Sequence, residues 1–341
     1  MLNYEAQKKI DNNVSYKEQI TFIVLLRILA AFAVIVIHTR SMTFYETNIY
    51  NFVHACMLWS VPVFFMITGY IFIGVKKISD FSSIKNNVIK FVVVLFTLGF
   101  FYAICQRFFE TRNFTVMLFI NSFCDVLKGN LFDHMWYIYA IIGIYLILPM
   151  LSLFVNSNKK NLYILLVLTA VLGIIIPDIC KMLNISTSFK LPIGNYAFYV
   201  LAGATIKEIS VDKLKVLRNI SLLIIPLYIL IYAYNIFVYD VFYASYTSIL
   251  VASLSVSVFI ICAYSFRNLN TNIIINSISE CTWGIYLLHP FFIHVIVKLF
   301  KFTITPYNQL IFYPLSCIFI FLISYVATLI LKNIPIIKRF I

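Results

Sequence analysis

Arg27 and His38 stand eleven residues apart inside one apolar stretch, FIVLLRILAAFAVIVIHT. A charged or titratable side chain held in hydrocarbon is costly, roughly 2.5–3.5 kcal/mol for arginine on insertion scales, so such a residue marks function by default. On an α-helix, eleven residues return to nearly the same face, about 16 Å further along the axis. A cation and an imidazole placed this way suit an elongated ligand with its charged end and its reactive end far apart. The bland alternative has Arg27 snorkelling to a surface and His38 resting at an interface. Arg27 resists that reading: it lies about one and a half to two turns inside the span, and no acid is near it on its own helix.

Three further segments carry polar groups that a lipid-facing helix would not need. Residues 59–72, WSVPVFFMITGYIF, put Pro62 in mid-span, with Ser60, Thr68 and Gly69 allowing close helix approach; His54, just before, belongs to an interface. Residues 133–151, DHMWYIYAIIGIYLILPML, open with a collar of Asp133, His134, Trp136, Tyr137 and Tyr139. Aromatic belts explain the Trp and Tyr, whereas an acid and an imidazole beside them suit gripping a sugar ring. Residues 278–294, ISECTWGIYLLHPFFIH, place His289 in mid-span with Pro290 after it. That imidazole either faces a cavity or secures a kink, and Glu280 starts the span as a complement to a helix N-terminus.

Helices must cross a membrane to hold these groups. The chain is 62% hydrophobic and only 11% charged, with mean hydropathy +0.95, the composition of an all-α polytopic membrane protein. Apolar runs of spanning length fall near 20–39, 53–75, 88–108, 135–155, 161–180, 191–209, 219–238, 246–266, 280–300 and 308–331. The run at 191–209 is the weakest, being short and carrying Gly194 and Gly203. Residues 114–132 are interrupted by Asp125, Lys128 and Gly129 and read as an amphipathic helix lying in the interface.

Charge fixes the expected orientation. With both termini cytoplasmic, the inner segments carry 17 Lys and Arg and the outer segments eight, with Arg27 within a span completing the 26. This divides the chain into a cytoplasmic segment 1–19, a ten-helix membrane domain 20–331 and a cytoplasmic tail 332–341. The net charge of +13 lies in short loops and forms no continuous basic domain, so it points to topology and anionic lipid, with no nucleic acid as partner. The 17% aromatic content exceeds the needs of a core and points to lipid interfaces. Seven scattered cysteines without a CxxC pair read as small core residues, with no disulfide framework and no metal site expected. The first span ends in HTRSM with no small-residue cleavage site, so it is expected to be retained.

Taken in order, R-x10-H (Arg27, His38), VPVFFMITGYIF, HMWYIYAIIGIYLILP and TWGIYLLHP resemble the integral-membrane acyltransferase 3 family across the whole chain. Within that family the chain is most similar to stand-alone O-acetyltransferases of surface polysaccharides, the enterobacterial common antigen type. It is expected to lack the extracytoplasmic esterase-like or racemase domains that some members add. The ninth-span motif departs from the family's in carrying Thr282 where Ser is frequent and Trp283 where the side chain is smaller.

The resemblance implies an O-acyltransferase of the bacterial plasma membrane. Acyl-CoA, usually acetyl-CoA, is then the cytoplasmic co-substrate, with no bound cofactor. The acceptor is a hydroxyl of an envelope polysaccharide or its lipid-linked precursor. Arg27 would hold the donor and His38 would act as general base or as a transient acyl carrier, while His134, Trp136, Tyr137, Tyr286 and His289 would shape donor and acceptor cavities. The competing reading is a transporter or flippase of the same glycan, against which stands the absence of paired broken half-helices. A structural or sensor subunit is a third, for which Arg27 and His38 serve no purpose.

Overall fold

The computed structural model describes residues 2–42, 47–129, 131, 134–185, 195–242, 245–298, 300–302, 304–305 and 308–341, with side chains from residue 21 onward. Fifteen α-helices occur among them: α1 Leu2–Thr39, α2 Asn48–Met57, α3 Ser60–Gly69, α4 Lys85–Val94, α5 Phe100–Thr111, α6 Val116–Lys128, α7 Trp136–Ser157, α8 Lys159–Ala170, α9 Ile176–Met182, α10 Ala197–Lys207, α11 Val211–Tyr239, α12 Ile249–Ser265, α13 Ile273–Lys298, α14 Gln309–Leu331 and α15 Pro335–Lys338. No β-strand is present among the described residues. The protein is an all-α polytopic membrane protein.

Eight helical segments are long and apolar enough to cross a bilayer: Thr21–Met42, Asn48–Val75, Lys85–Thr111, Trp136–Ser157, Lys159–Met182, Val211–Tyr239, Ile273–Lys298 and Gln309–Leu331. Each overlaps one expected span. The other two expected spans contain shorter apolar helices, α10 and α12. Residues 186–194, which include Gly194 and the start of the expected span 191–209, lie outside the described residues, as does Asp133.

Local chemistry explains the breaks. The segment Asn48–Val75 is interrupted at Leu58 and Trp59, one turn before Pro62. Proline has no N–H to give the carbonyl four residues back, which here belongs to Leu58. Three single π-helical stretches, Tyr70–Val75, Leu95–Gly99 and Val171–Ile175, continue α3, join α4 to α5 and join α8 to α9. Thr115 caps α6 by accepting from the Leu118 N–H, and Gly129 closes it at φ 76°. At 13 residues α6 is too short to span; it exposes Val116, Met117, Ile120 and Leu127 and is tied to α5 by a two-bond ion pair, Arg107 to Asp125 at 2.5 and 2.9 Å.

The core gathers around α1, which packs against α2, α3, α12, α13 and α14. Helices α3 and α10 meet through glycine. A Cβ at Gly69 would lie 1.7 Å from the Val200 carbonyl oxygen, and one at Gly203 would lie 1.9 Å from that of Met66. Small residues let two backbones touch where no hydrophobic drive separates helix from lipid. Tyrosine hydroxyls supply the other ties. Tyr102 donates to the Leu287 carbonyl at 2.8 Å, Tyr228 to Ala55 at 2.8 Å and Tyr313 to Val36 at 2.6 Å, while Tyr199 donates to Tyr246 and Tyr286 to His134. Ten tyrosines are buried among the described residues, so much of the aromatic content serves the interior as well as the lipid boundary.

Candidate active site

Arg27 and His38 project from α1 into two different cavities. The Arg27 cavity, of about 370 Å³, is walled by the Tyr70–Val75 stretch, α3, α4, α7 and α13. Besides Arg27 it holds Lys76, Lys90, Asn87 and Thr68, over a floor that includes Phe64, Phe91 and Trp283. Its one acid, Glu280, faces away to Lys332, whose Nζ lies 3.9 Å from the carboxylate and donates to the Glu280 carbonyl at 3.1 Å. Lys90 sits over the Trp283 ring, 5.7 Å from its centroid. No ion pair neutralises Arg27, Lys76 or Lys90 among the described residues, so this cavity is built for an anion.

Glu280 does not begin its helix, as its place in the sequence suggested. Helix α13 starts at Ile273, two turns earlier, so the carboxylate is spent on Lys332 and not on a helix N-terminus.

The His38 cavity, of about 520 Å³, takes its walls from the end of α1, from α2 and α3, and from the start of α7. Trp136, Tyr137, Tyr246 and Tyr286 give it an aromatic lining; Arg40, Ser41 and His54 bring polar groups, with Arg40 Nη1 3.5 Å from His54 Nδ1. Trp136 is held between Tyr196 (ring centroids 5.2 Å apart) and Tyr246 (5.5 Å). Tyr137 and Tyr286 line both cavities, with ring centroids 5.5 Å apart, so they form the partition between the two.

Three imidazoles converge on the His38 side of that partition. His38 lies 5.3 Å from His289 and 6.2 Å from His134, and His134 lies 5.7 Å from His289, measured between ring centroids. Each comes from a different part of the fold: the last turn of α1, the turn before α7 and the middle of α13. His134 is buried and its backbone carbonyl receives the Tyr286 hydroxyl. His289 is fully buried and lines neither cavity; its Nδ1 is 3.2 Å from the Ile285 carbonyl, and its Nε2 has no hydrogen-bond partner. His289 therefore backs His38 instead of meeting a ligand. No group of three His, Cys, Asp or Glu is arranged to hold a metal ion among the described residues.

Six of the seven site residues singled out from the sequence thus line this column, and the seventh, His289, stands behind His38. Arg27 is at one end, Tyr137 and Tyr286 are in the middle, and His38, His134 and Trp136 are at the other. Lys76, Lys90, Asn87, Arg40 and Tyr246 were not singled out. For Lys90 a signal existed: it falls two residues inside the apolar run 88–108, where a loop charge would not be expected to penetrate. Tyr246 and Asn87 carry no such mark, because their place depends on which helices pack together.

The sequence model of the acyltransferase 3 family, described as an acyltransferase domain, matches residues 20–329. No curated protein and no solved structure matches the chain. The match takes in every helix that builds the column, including Arg27 and His38, and the chain accordingly belongs to the acyltransferase 3 family: it is a membrane acyltransferase.

Proposed function

We propose that the protein is an O-acetyltransferase of the bacterial plasma membrane that passes an acetyl group from cytoplasmic acetyl-CoA to a hydroxyl of an envelope polysaccharide or its lipid-linked precursor. The observation that carries this reading is the pair of cavities on one helix, cationic around Arg27 and aromatic with imidazole around His38, divided by Tyr137 and Tyr286. Acetyl-CoA has the matching form, with phosphates at one end and a thioester at the end of a long, flexible, weakly polar arm. Arg27, Lys76 and Lys90 would take phosphate or pantetheine oxygens, guanidinium and ammonium being the side chains that bind such anions. The arm then runs past the partition at Tyr137 and Tyr286, whose rings must part to admit it, and brings the thioester to His38.

Orientation follows from charge. The loops assigned to the cytoplasm carry 17 of the basic residues, which puts both termini and the Arg27 cavity on the side where acyl-CoA is made. At the far end, a sugar hydroxyl meets His38. The imidazole takes the hydroxyl proton as the oxygen bonds to the thioester carbonyl carbon. The C–S bond breaks, and the imidazolium returns the proton to the leaving thiolate, giving the ester and free CoA with His38 neutral again. The aromatic lining of this cavity suits the apolar face of a pyranose ring, and His134 and His289 hold His38 in place.

The test is acetyl transfer from radiolabelled acetyl-CoA by the purified protein in lipid, with and without the host's envelope glycan. Transfer that needs glycan and is abolished by His38→Ala and by Arg27→Ala supports the reading. Transfer at the wild-type rate in both variants overturns the residue roles, and transfer only to an acceptor other than glycan overturns the substrate class.

A further inference from the structure

A third cavity, of about 380 Å³, adjoins the aromatic cavity at His38, Ser41 and His134 and shares no lining residue with the Arg27 cavity. His38 therefore stands at the junction of two spaces that run away from it in different directions. Their chemistry differs. The first is lined by the aromatic side chains of Trp136, Tyr137, Tyr246 and Tyr286. The third is formed between α5 and α13 and offers Gln106, Glu110, His294 and Lys298. Gln106 Nε2 donates to Glu110 at 3.4 Å, and Gln106, Glu110 and Lys298 are all exposed, so the polar mouth opens to water. The α5 side of that mouth is braced by the Arg107–Asp125 pair, one residue from Gln106.

A ligand that presents a single hydroxyl to His38 and ends there would need one of these spaces. Two spaces leave room on both sides of the reacting hydroxyl. Aromatic faces suit the C–H face of a sugar ring, whereas an amide, a carboxylate and an ammonium together suit the hydroxyls of the next ring. We propose that the acceptor is an oligosaccharide at least two sugar units long, laid across His38. Its acylated unit lies in the aromatic-lined cavity beside Tyr246, and the neighbouring unit is held by Gln106, Glu110 and Lys298. This inference rests on the O-acetyltransferase reading and adds to it the length of the acceptor and the residues that measure it.

The experiment uses the full-length protein in proteoliposomes, labelled acetyl-CoA, and fragments of the host's envelope glycan sized from one to four units. The wild type is expected to show kcat/KM at least tenfold higher on two units than on one, with little further gain beyond. Glu110→Gln and Lys298→Ala are expected to reduce this two-to-one ratio toward unity, by lowering use of the longer acceptor far more than the shorter. Both positions are exposed, and an unchanged melting temperature checks that each variant is folded. Equal use of one and two units by the wild type overturns the inference while leaving the O-acetyltransferase reading intact. So does a ratio that both variants preserve. Transfer to no fragment of any size overturns the reading itself, and this inference with it.

Discussion

At His38 the arrangement concentrates three imidazoles with ring centroids 5.3–6.2 Å apart; His38 and His134 line both the aromatic and the third cavity, whereas His289 lines neither. A general base contributes about 10²–10⁴-fold to the rate, so on the proposed role of His38 the His38→Ala variant is expected to lower kcat by that factor with acetyl-CoA binding retained, as read by single-turnover transfer and by donor titration. Arg27→Lys keeps the charge but loses the planar fork, and is expected to raise the KM for acetyl-CoA about tenfold with a smaller change in kcat. His289 offers a different test. Its buried Nε2 has no partner and its one side-chain bond, Nδ1 to the Ile285 carbonyl, lies within its own helix, so a same-sized apolar residue removes a desolvation cost along with that local bond. His289→Leu is expected to leave the melting temperature near the wild-type value and to lower turnover about tenfold or more, by loosening His38. A large loss of stability with turnover unchanged would make His289 purely structural. Arg27 and His38 were legible from sequence because charge in hydrocarbon is expensive wherever the helix ends up. Lys76, Asn87 and Tyr246 were not, since nothing in their neighbourhoods along the chain tells which cavity they face.

Among elements, the contact of α3 with α10 depends on two glycines. Gly→Ala in a helix interior is ordinarily stabilising by up to about 1 kcal/mol. At Gly203 the added methyl would meet the Met66 carbonyl oxygen at 1.9 Å, so Gly203→Ala is expected to lower the melting temperature markedly. Gly143, on α7, has nothing within 4 Å of its would-be Cβ, and Gly143→Ala is expected to hold or raise it. The opposite signs of one substitution type separate helix propensity from backbone approach. A second tie between elements is titratable. Lys159, at the start of α8, lies 2.7 Å from Glu208, just past α10, and its hydrogen bond holds the Glu208 carboxyl below the ordinary carboxylate range. A depressed carboxyl stabilises the fold at pH values above its unfolded range, about 4.3, and that stabilisation is lost as pH falls through the folded value. Glu208→Gln is therefore expected to lower the melting temperature slightly at pH 7, with the difference from the wild type shrinking as pH falls below the ordinary carboxylate range. The effect is small because the pair is open to solvent. Apolar runs identified the helices, but not their ends. Helix α13 begins two turns before the sequence placed it, because polar Asn276, Ser277 and Ser279 hide a helical start from an apolar-run reading.

For the molecule as a whole, the two cavities predict sidedness. In proteoliposomes oriented by labelling of the termini, acetyl-CoA is expected to support transfer only from the side bearing the termini, with the acetylated glycan appearing on the other. Equal transfer with donor and acceptor on one side would remove the need for a route past Tyr137 and Tyr286. Widening that partition gives a second readout: Tyr137→Ala is expected to raise hydrolysis of acetyl-CoA relative to transfer, since water would reach the thioester.

The sequence by itself determined the solvent and the class. With 11% charged residues the chain can only satisfy its backbone in lipid as helices, and four polar interruptions in a set order led to the acyltransferase 3 family. It also determined that Arg27 and His38 share a helix face, because an eleven-residue separation is fixed by helical geometry alone. Tertiary structure decided everything that requires two helices to meet. It divided the column at Tyr137 and Tyr286, brought His134 and His289 from remote segments against His38, and paired Glu280 with Lys332. It also opened a second polar space beside the imidazole from α5 and α13, whose residues are 185 positions apart where Tyr102 bonds Leu287. Periodicity along a chain specifies which face of a helix is special. Which other faces lie opposite is set by packing, through contacts such as Gly69 on Val200 that no local pattern encodes.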